Sequence, residues 1–582
     1  MIRTHRRTRT VGQDRTRVLL ILAGVFVGVI VIRLFSLQVL QYGFYKALAE
    51  GQHSLYEKLF PTRGNVYMTE FGTDKLYPLA TNEPLKLVYA NPSQITKDPE
   101  EVARMLAPIL DMDQGVVYER VSKKEDLYEP LKHAVRDADI QKITALGLKG
   151  IEFADEQVRM YPEGRYGSHL VGFLGYDGDV RKGQYGIEGA FDTELTGTVG
   201  SLQAEKDAAG RWIAIGSRTL IPAQDGDDIV LTIDRVIEHE ACAKLDAAVQ
   251  KHGADGGSVV IMDPTTGAIL AMCGSPDFDP NDYTDVDDAK VYANPAIFSQ
   301  YEPGSVMKGI TMSAALDQGV VTPNTTYTDE GFVKIASYTI KNSDGKANGV
   351  QTMTQVLEKS LNTGAIFAMR QTGATVFASY LEKFGFGKQT DVELQGESAG
   401  DISTLALGKE IYAATASYGQ GITVTPLQLT AAFGAIANRG ELMKPYVVKE
   451  VRHADGTVTT TQPTKVRSAI SAQTATTVTA MLVNVVQNGH GTRAGVAGYY
   501  IAGKTGTAQI PKTDGPGYQE DVTIGSFAGF GPVEDPRFVM VVRIDKPRDV
   551  QFAESSAAPL FGEIASFILH YYEVPPTVAT GE

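Results

Sequence analysis

The sequence predicts an α/β protein, an antiparallel sheet flanked by helices, preceded by a membrane-spanning helix and an irregular α+β module. Three observations predict it. An arginine-rich start runs directly into a long apolar segment. Residues 61–222 mix short alternating stretches with helical ones. From residue 229 onward, hairpin strands lie between an early helix and a late one, the pattern of helices layered on a sheet.

At 582 residues the chain exceeds one ordinary domain, and two or three units fit. It is 43% hydrophobic and 21% charged, close to globular averages, so a disordered chain is not expected. A net charge of −15 argues against a nucleic-acid partner, which calls for a basic face. The charge is uneven: residues 1–17 hold six arginines and one acid (Asp14), a local +5, which leaves −20 on the remainder.

The apolar run is unbroken from Val18 to Ile32 and continues past Arg33 to Leu40, 23 residues in all. That length spans a hydrocarbon core of about 30 Å. Arg33 sits toward the far end, where it can snorkel to the interface. The preceding arginines stay with the cytoplasm, so the chain beyond residue 40 faces outward. A cleaved signal peptide is the competing reading, with Ala47-Leu48-Ala49 as a small-residue site. Bulky Phe35, Tyr42, Phe44 and Tyr45 stand between the apolar core and that site, which favours an uncleaved anchor.

Residues 41–60 carry apolar positions at helical spacing and suggest a stalk, ended at Pro61-Thr62-Arg63-Gly64. Strand character at 85–90 and helical character at 99–111 and 137–147 follow, without catalytic clustering. Gln224-Asp225-Gly226-Asp227-Asp228 is a polar break. Beyond it the patterns predict a strand at 229–234, a helix at 235–251 and a hairpin of strands 256–263 and 267–273. A strand at 538–545 and a helix at 561–572 close the chain. The tail 573–582, with two prolines, reads as loose. Cys242 and Cys273 make no C-x-x-C, so no zinc or redox motif is indicated. Two buried thiols are the favoured reading, and a disulfide is the alternative for an exported domain.

The chemistry concentrates in three motifs. In Pro303-Gly304-Ser305-Val306-Met307-Lys308 a turn delivers the chain into a helix, placing Ser305 and Lys308 one turn apart on one face. Serine needs a base to become a nucleophile, and a desolvated amine near a helix N-terminus can serve. Alone, S-x-x-K is common as a solvated helix face. Ser360-Leu361-Asn362 adds a hydroxyl for proton relay and an amide for a peptide-like ligand. Lys504-Thr505-Gly506-Thr507, after apolar 499–502, fits an edge strand: Lys504 and Thr505 can hold a carboxylate, and Gly506 permits close approach by a substrate. The ordered trio S-x-x-K, S-x-N, K-T-G is specific to the penicillin-binding and β-lactamase chemistry. No histidine adjoins it, and no H-E-x-x-H or G-x-S-x-G occurs.

These motifs, with ASYGQGITVTPLQL (416–429) and MDPTTGAILAMCGSPDFDPN (262–281), resemble the class B, monofunctional penicillin-binding proteins. Arg159-Met160-Tyr161-Pro162, Gly164, His169 and YGIEGAFDTELTG (185–197) resemble that family's non-catalytic pedestal. One stretch departs: after Arg63-Gly64 the usual Asp-Arg-Asn-Gly turn is replaced by Tyr67-Met68-Thr69-Glu70-Phe71-Gly72.

The resemblance implies a serine β-lactamase-like transpeptidase fold and five segments: a cytoplasmic tail (1–17), an anchor (18–40), a stalk with a dimerisation-type pedestal (41–222), a transpeptidase domain (226–572) and a flexible tail (573–582). It implies that Ser305 attacks the D-Ala-D-Ala carbonyl of peptidoglycan stem peptides with Lys308 as base. Ser360 relays a proton, Asn362 positions the donor amide, and Lys504, Thr505 and Thr507 hold the terminal carboxylate. The N–H groups of Ser305 and Thr507 form the oxyanion hole. No metal or organic cofactor is implied. The implied partners are β-lactams, the plasma membrane, a membrane-embedded glycan polymerase and other division proteins. Ser-Tyr-Gly-Gln-Gly-Ile favours the division-type enzymes over the elongation type. A β-lactamase would need a water-activating acid, for which Glu397 is the candidate. A β-lactam sensor would need further spans, and residues 41–582 show no second one.

Overall fold

The computed structural model describes residues 11–36, 54–59, 61–177, 180–205, 218–512, 515 and 517–578. The chain divides into two compact units, Met1–Pro61 with Thr198–Gln224, and Thr62–Gly197 with Asp225–Glu582.

In the first unit the unbroken part of the apolar run, residues 18–32, lies within one helix, Val11–Phe35, whose described large apolar side chains, Leu19 to Phe35, are exposed, and residues 37–40 lie outside the described residues. Among the described residues no helix is long and apolar enough to cross a membrane. The stalk differs from expectation. Residues 54–59, read as helical, form a strand paired antiparallel with Gly200–Glu205, which in turn pairs with Arg218–Ile221. The ladder partner lies far along the chain, where spacing within the segment cannot show it. Residues 41–53 and 60 lie outside the described residues.

The second unit holds two main sheets. One runs in the order Val458–Thr460, Val448–Arg452, Asp228–Asp234, Val66–Thr69, Tyr77–Ala90, Glu129–Val135, with Ile151–Met160 also on Tyr77–Ala90. The strand at 228–234 therefore joins pedestal strands instead of the catalytic sheet, pairing in parallel with Val66–Thr69. The pedestal residues of the family resemblance converge here on one buried carboxylate. Arg63 Nε donates to Glu188 Oε2 at 2.8 Å, and Arg159 Nε to Oε1 at 2.6 Å. Arg159 also holds the Gly64 carbonyl at 2.8 Å. Removing either partner of such a buried pair typically costs about 3–5 kcal/mol. The departed turn is anchored from elsewhere: the Phe71 N–H donates to Asp234 Oδ2 at 2.8 Å, and the Phe71 ring packs on Tyr571 and Tyr572.

The catalytic sheet is wholly antiparallel. Its strands are β1 (Gly256–Met262), β2 (Ile269–Ser275), β3 (Ala502–Pro511), β4 (Tyr518–Gly531) and β5 (Phe538–Asp545), in the order β2-β1-β5-β4-β3. Every residue of β1 is buried, as a continuous apolar run predicts for a strand covered on both faces. One face carries α1 (Arg235–His252), with Asp234 capping its N-terminus by accepting from the Val236 and Ile237 N–H groups, and the late helix Ala557–Tyr571. The other face carries the helical half of the domain, including α2 (Met307–Asp317), α3 (Asn362–Thr372) and α4 (Pro426–Ala437). Eleven of the twelve residues of α4 are buried, so this helix is core all round.

The cysteine reading is corrected. Cys242 on α1 and Cys273 on β2 form a disulfide, with Cα atoms 5.3 Å apart. Packing α1 onto β2 brings together residues 31 apart in sequence, a consequence of tertiary structure that the spacing alone does not reveal. Both sulfurs are thereby used, so their proximity to Glu238 is no metal centre. The tail makes hydrogen bonds as far as it is described. Thr577 and Val578 donate to the Gly498 carbonyl at 2.9 and 3.1 Å, and Tyr499 Oη donates to the Val574 carbonyl.

Candidate active site

Ser305 sits in a short 3-10 turn, Gly304–Val306, that feeds α2. Three connections fix the turn. Tyr301 and Val424 exchange backbone hydrogen bonds at 3.0 Å, the Gly304 N–H donates to the Gly419 carbonyl at 3.0 Å, and Thr311 Oγ1 donates to the Ser417 carbonyl at 2.7 Å. The Ser417–Val424 segment is thus the buttress of the nucleophile turn. Glu302, buried beside it, accepts from the Gly421 N–H and from Tyr518 Oη at 2.9 and 3.0 Å. Sequence reading missed this residue, because its partners come from two distant segments.

The three motifs meet. Lys308 Nζ donates to the Ser360 carbonyl at 2.5 Å and lies 3.2 Å from Ser360 Oγ. Lys504 Nζ lies 3.0 Å from the same Oγ. Ser360 adopts left-handed backbone geometry, φ 55°, which turns both its carbonyl and its hydroxyl toward the lysines. That geometry is unfavourable for a serine by about 1–2 kcal/mol. Such strain is characteristic of functional turns.

Both lysines are fully buried. Burial holds the Lys308 amine well below its usual range, and the charge of Lys504 lowers it further. Burial brings Lys504 down to about 7, against a smaller upward pull from Glu554. The arrangement therefore places an amine whose charged form is disfavoured one turn from Ser305, with a second amine beside it for an anionic ligand. Ser305 Oγ makes no hydrogen bond among the described residues, which leaves it available to a ligand.

Asn362 opens α3 and donates from Nδ2 to the Lys341 carbonyl at 2.9 Å. Behind it lies a hub that sequence reading missed. Asp329, 1% exposed, accepts from Thr363 Oγ1 (2.8 Å), Asn342 Nδ2 (2.9 Å), Asn348 Nδ2 (2.8 Å) and the Gly331 N–H (2.9 Å). Burial alone would raise its pKa, but these bonds outweigh burial and hold it below 3.8. Its contribution to stability is complete above pH about 4 and is lost as pH falls through the lowered value. Asp329→Ala should lower stability by about 1–3 kcal/mol, because it strands buried donors. Penicillin acylation should also slow, since the start of α3 loosens. Chemical denaturation and stopped-flow labelling check the pair of effects.

The K-T-G segment lies on β3, the sheet's edge strand. Gly506 does admit a close neighbour, but that neighbour is the nucleophile turn: a Cβ there would meet the Pro303 carbonyl and Val306 Cγ2, each at 2.6 Å. The Thr507 carbonyl faces the same turn, 3.0 Å from where a Cβ on Gly304 would stand. Within a strand a residue's N–H and C=O point the same way, so the Thr507 N–H is also directed to the open edge beside Ser305. Thr505 Oγ1 lies 3.3 Å from Lys504 Nζ, and Thr507 Oγ1 accepts from the Ala553 N–H at 3.1 Å.

Glu397 is elsewhere engaged. Its Oε1 accepts from the N–H and hydroxyl of Thr390 at 2.7 and 2.6 Å, and its Oε2 from the Asp391 N–H at 3.0 Å. These bonds close its own loop, and none reaches the three motifs. Glu397→Gln should therefore leave the lifetime of a penicillin adduct within about twofold of wild type, whereas loss of a general base costs about 10²–10⁴-fold. Time-resolved intact-mass spectrometry distinguishes the two.

Residues 257–566 match the model of the penicillin-binding protein transpeptidase domain, and residues 58–231 that of the penicillin-binding protein dimerisation domain. The chain belongs to the penicillin-binding protein transpeptidase family. It is 36% identical to the stage V sporulation protein D of Bacillus subtilis, covering 84% of this chain and 75% of that protein. It is 30% identical to the peptidoglycan D,D-transpeptidase FtsI of Escherichia coli K12, covering 86% and 83%. Among solved structures it is similar to penicillin-binding protein 3 of Mycobacterium tuberculosis complexed with aztreonam, at 28% identity and TM-score 0.69, covering 90% of this chain and all of that one.

Proposed function

We propose that this chain is a membrane-anchored peptidoglycan D,D-transpeptidase of the division type, which cross-links stem peptides through an acyl-enzyme on Ser305. The observation that carries the reading is the joining of Lys308, one helical turn after Ser305, with Lys504 around the Ser360 hydroxyl. Ser305 Oγ attacks the carbonyl between the two D-alanines and passes its proton to the Lys308 amine. The N–H groups of Ser305 and Thr507 hold the developing oxyanion, a contribution of about 3–4 kcal/mol per donor. The ester forms, and the terminal D-alanine leaves with a proton relayed through Ser360. Lys504, Thr505 and Thr507 grip its carboxylate, and Asn362 orients the donor amide. An amine of a second strand then attacks the ester, and its proton returns to Ser305 Oγ. The chemistry calls for no metal or organic cofactor.

The exposed apolar helix after the arginine cluster supports anchoring with the catalytic domain outside, and so does the disulfide, which persists in oxidising compartments. The SYGQGI segment buttressing the nucleophile turn supports the division type, with a membrane-embedded glycan polymerase as partner. The full chain, incubated with pentapeptide-bearing glycan strands, should yield cross-linked dimers carrying one D-alanine fewer, detected by mass spectrometry. Cleavage to tetrapeptides without cross-links would replace the transferase reading with a hydrolytic one.

A further inference from the structure

The two oxyanion donors belong to elements that are remote in sequence. The Ser305 N–H lies on the nucleophile turn, and the Thr507 N–H on β3. Their spacing therefore depends on how firmly β3 lies against the turn. At Gly506 that contact is close packing on the Pro303 carbonyl and Val306, which is only weakly directional. A directional contact joins the two elements further along, and it runs through Glu302.

β3 and β4 form a hairpin that continues past Thr507 to Pro511, which pairs with Tyr518 at the hairpin's end. Tyr518 reaches back to the nucleophile turn and donates from Oη to Glu302 Oε2 at 3.0 Å. The other oxygen, Oε1, accepts at 2.9 Å from the Gly421 N–H, within the segment that buttresses the turn. Glu302 stands three residues before Ser305, so one carboxylate ties together the turn, its buttress and the hairpin.

An acid at this position does little for stability. Glu302 is 8% exposed and forms no ion pair among the described residues, and burial pushes its pKa up against the pull of both hydrogen bonds. A buried carboxylate without a cation is a poor way to stabilise a fold. What it offers is two acceptors at once. Both of its partners are donors, and glutamine, of nearly the same shape, would turn an NH2 group toward one of them.

We propose that Glu302 is a positioning residue for acylation: latched to Tyr518, it clasps the end of the β3–β4 hairpin to the nucleophile turn and so sets the spacing of the two oxyanion donors. In this role it acts through the Thr507 N–H and touches no reacting atom. The proposal rests on the transpeptidase reading and adds to it the device that holds the oxyanion site in register. With the latch open, the Thr507 N–H loses its alignment with the tetrahedral oxygen, while Ser305 and Lys308, which share one helical turn, keep theirs.

The test uses the full chain and two probes. Stopped-flow labelling with penicillin gives the second-order acylation constant. Protection against that labelling by 1-acetamidoethylboronic acid gives the affinity of a tetrahedral adduct. In that adduct Ser305 Oγ bonds boron, its proton passes to the Lys308 amine, and a boronate oxygen lies between the two donors. Tyr518→Phe removes one hydroxyl from a half-buried ring and leaves Glu302 bonded to Gly421. It should slow acylation and weaken the boronate by about tenfold each, a fraction of the roughly 10²–10³-fold lost when an oxyanion donor is removed outright. The thermal midpoint should stay within about two degrees of wild type. Glu302→Gln should cause losses at least as large, and the double variant should lose no more than Glu302→Gln alone, because the pair acts as one unit. Unchanged acylation and boronate affinity in Tyr518→Phe would overturn the latch. Losses that multiply in the double variant, or that fall in step with the thermal midpoint, would overturn it too. A wild type that penicillin labels but the boronate does not protect would remove the shared oxyanion site, and the latch with it, while the acyl-enzyme reading stands. A wild type that penicillin does not label at Ser305 would overturn both.

Discussion

Ser305→Ala is expected to end covalent labelling by penicillin and to lower acyl transfer by about 10⁴-fold or more, the scale seen when a catalytic serine is removed. The fold should survive. Ser305 is half-buried in a turn whose connections run through Tyr301, Gly304 and Thr311, and its hydroxyl bonds to none of the described residues. The thermal midpoint should stay within a few degrees of wild type, since the change removes no packed group. Labelling of the alanine variant at wild-type rate, or a labelled peptide remote from residue 305, would remove Ser305 from the mechanism.

The second large effect concerns the two buried amines. Lys308→Gln should slow penicillin acylation by about 10²–10⁴-fold, the usual cost of losing a general base. In the proposed mechanism Lys504 acts with the opposite protonation preference, because it would hold a carboxylate only while charged. Burial brings its pKa to about 7, so its grip weakens as pH rises through that value, and a bound carboxylate shifts the loss upward. The second-order acylation constant should accordingly fall on the alkaline side. In Lys504→Arg that fall should vanish, because a guanidinium keeps its charge. An identical alkaline limb in the arginine variant, measured by stopped-flow labelling, would exclude Lys504 as its source. The same shifts bear on stability. Each lysine binds its proton less tightly when folded than at the ordinary 10.5, so between the two values the unfolded chain holds more protons. The contribution of these groups to stability therefore rises with pH across that window.

Most of the chemistry was legible because the motif residues are chemically specialised and their order is distinctive. Ser305 with Lys308 is a local pair that helical spacing alone brings together. The placement of K-T-G on an edge strand followed from the apolar residues before it, and β3 is that edge. What the sequence withheld depends on pairings between remote segments. The Cys242–Cys273 bond requires α1 to lie on β2. The strand 228–234 looked like part of the catalytic sheet, since a strand's own residues do not disclose its neighbours, yet it pairs with Val66–Thr69 and Val448–Arg452. The hub at Asp329 gathers Asn342, Asn348 and Thr363, each an ordinary polar residue until the chain folds them around one carboxylate. At Gly506 the structure adds a close neighbour that the sequence did not show, the nucleophile turn, because its packing against β3 is tertiary.

The measurement that bears most directly on a transferase as opposed to a hydrolase is the fate of the penicillin adduct on the purified full chain, followed by intact-mass spectrometry with peptide mapping. Glu397, the one acid suspected of activating water, spends both carboxylate oxygens on Thr390 and Asp391. The leaving group of a β-lactam stays tethered and obstructs an incoming amine. The account predicts a single adduct on the peptide containing Ser305, persisting for many minutes with trivial hydrolysis of free penicillin. Rapid multiple turnover of penicillin, lost in Glu397→Gln, would contradict it.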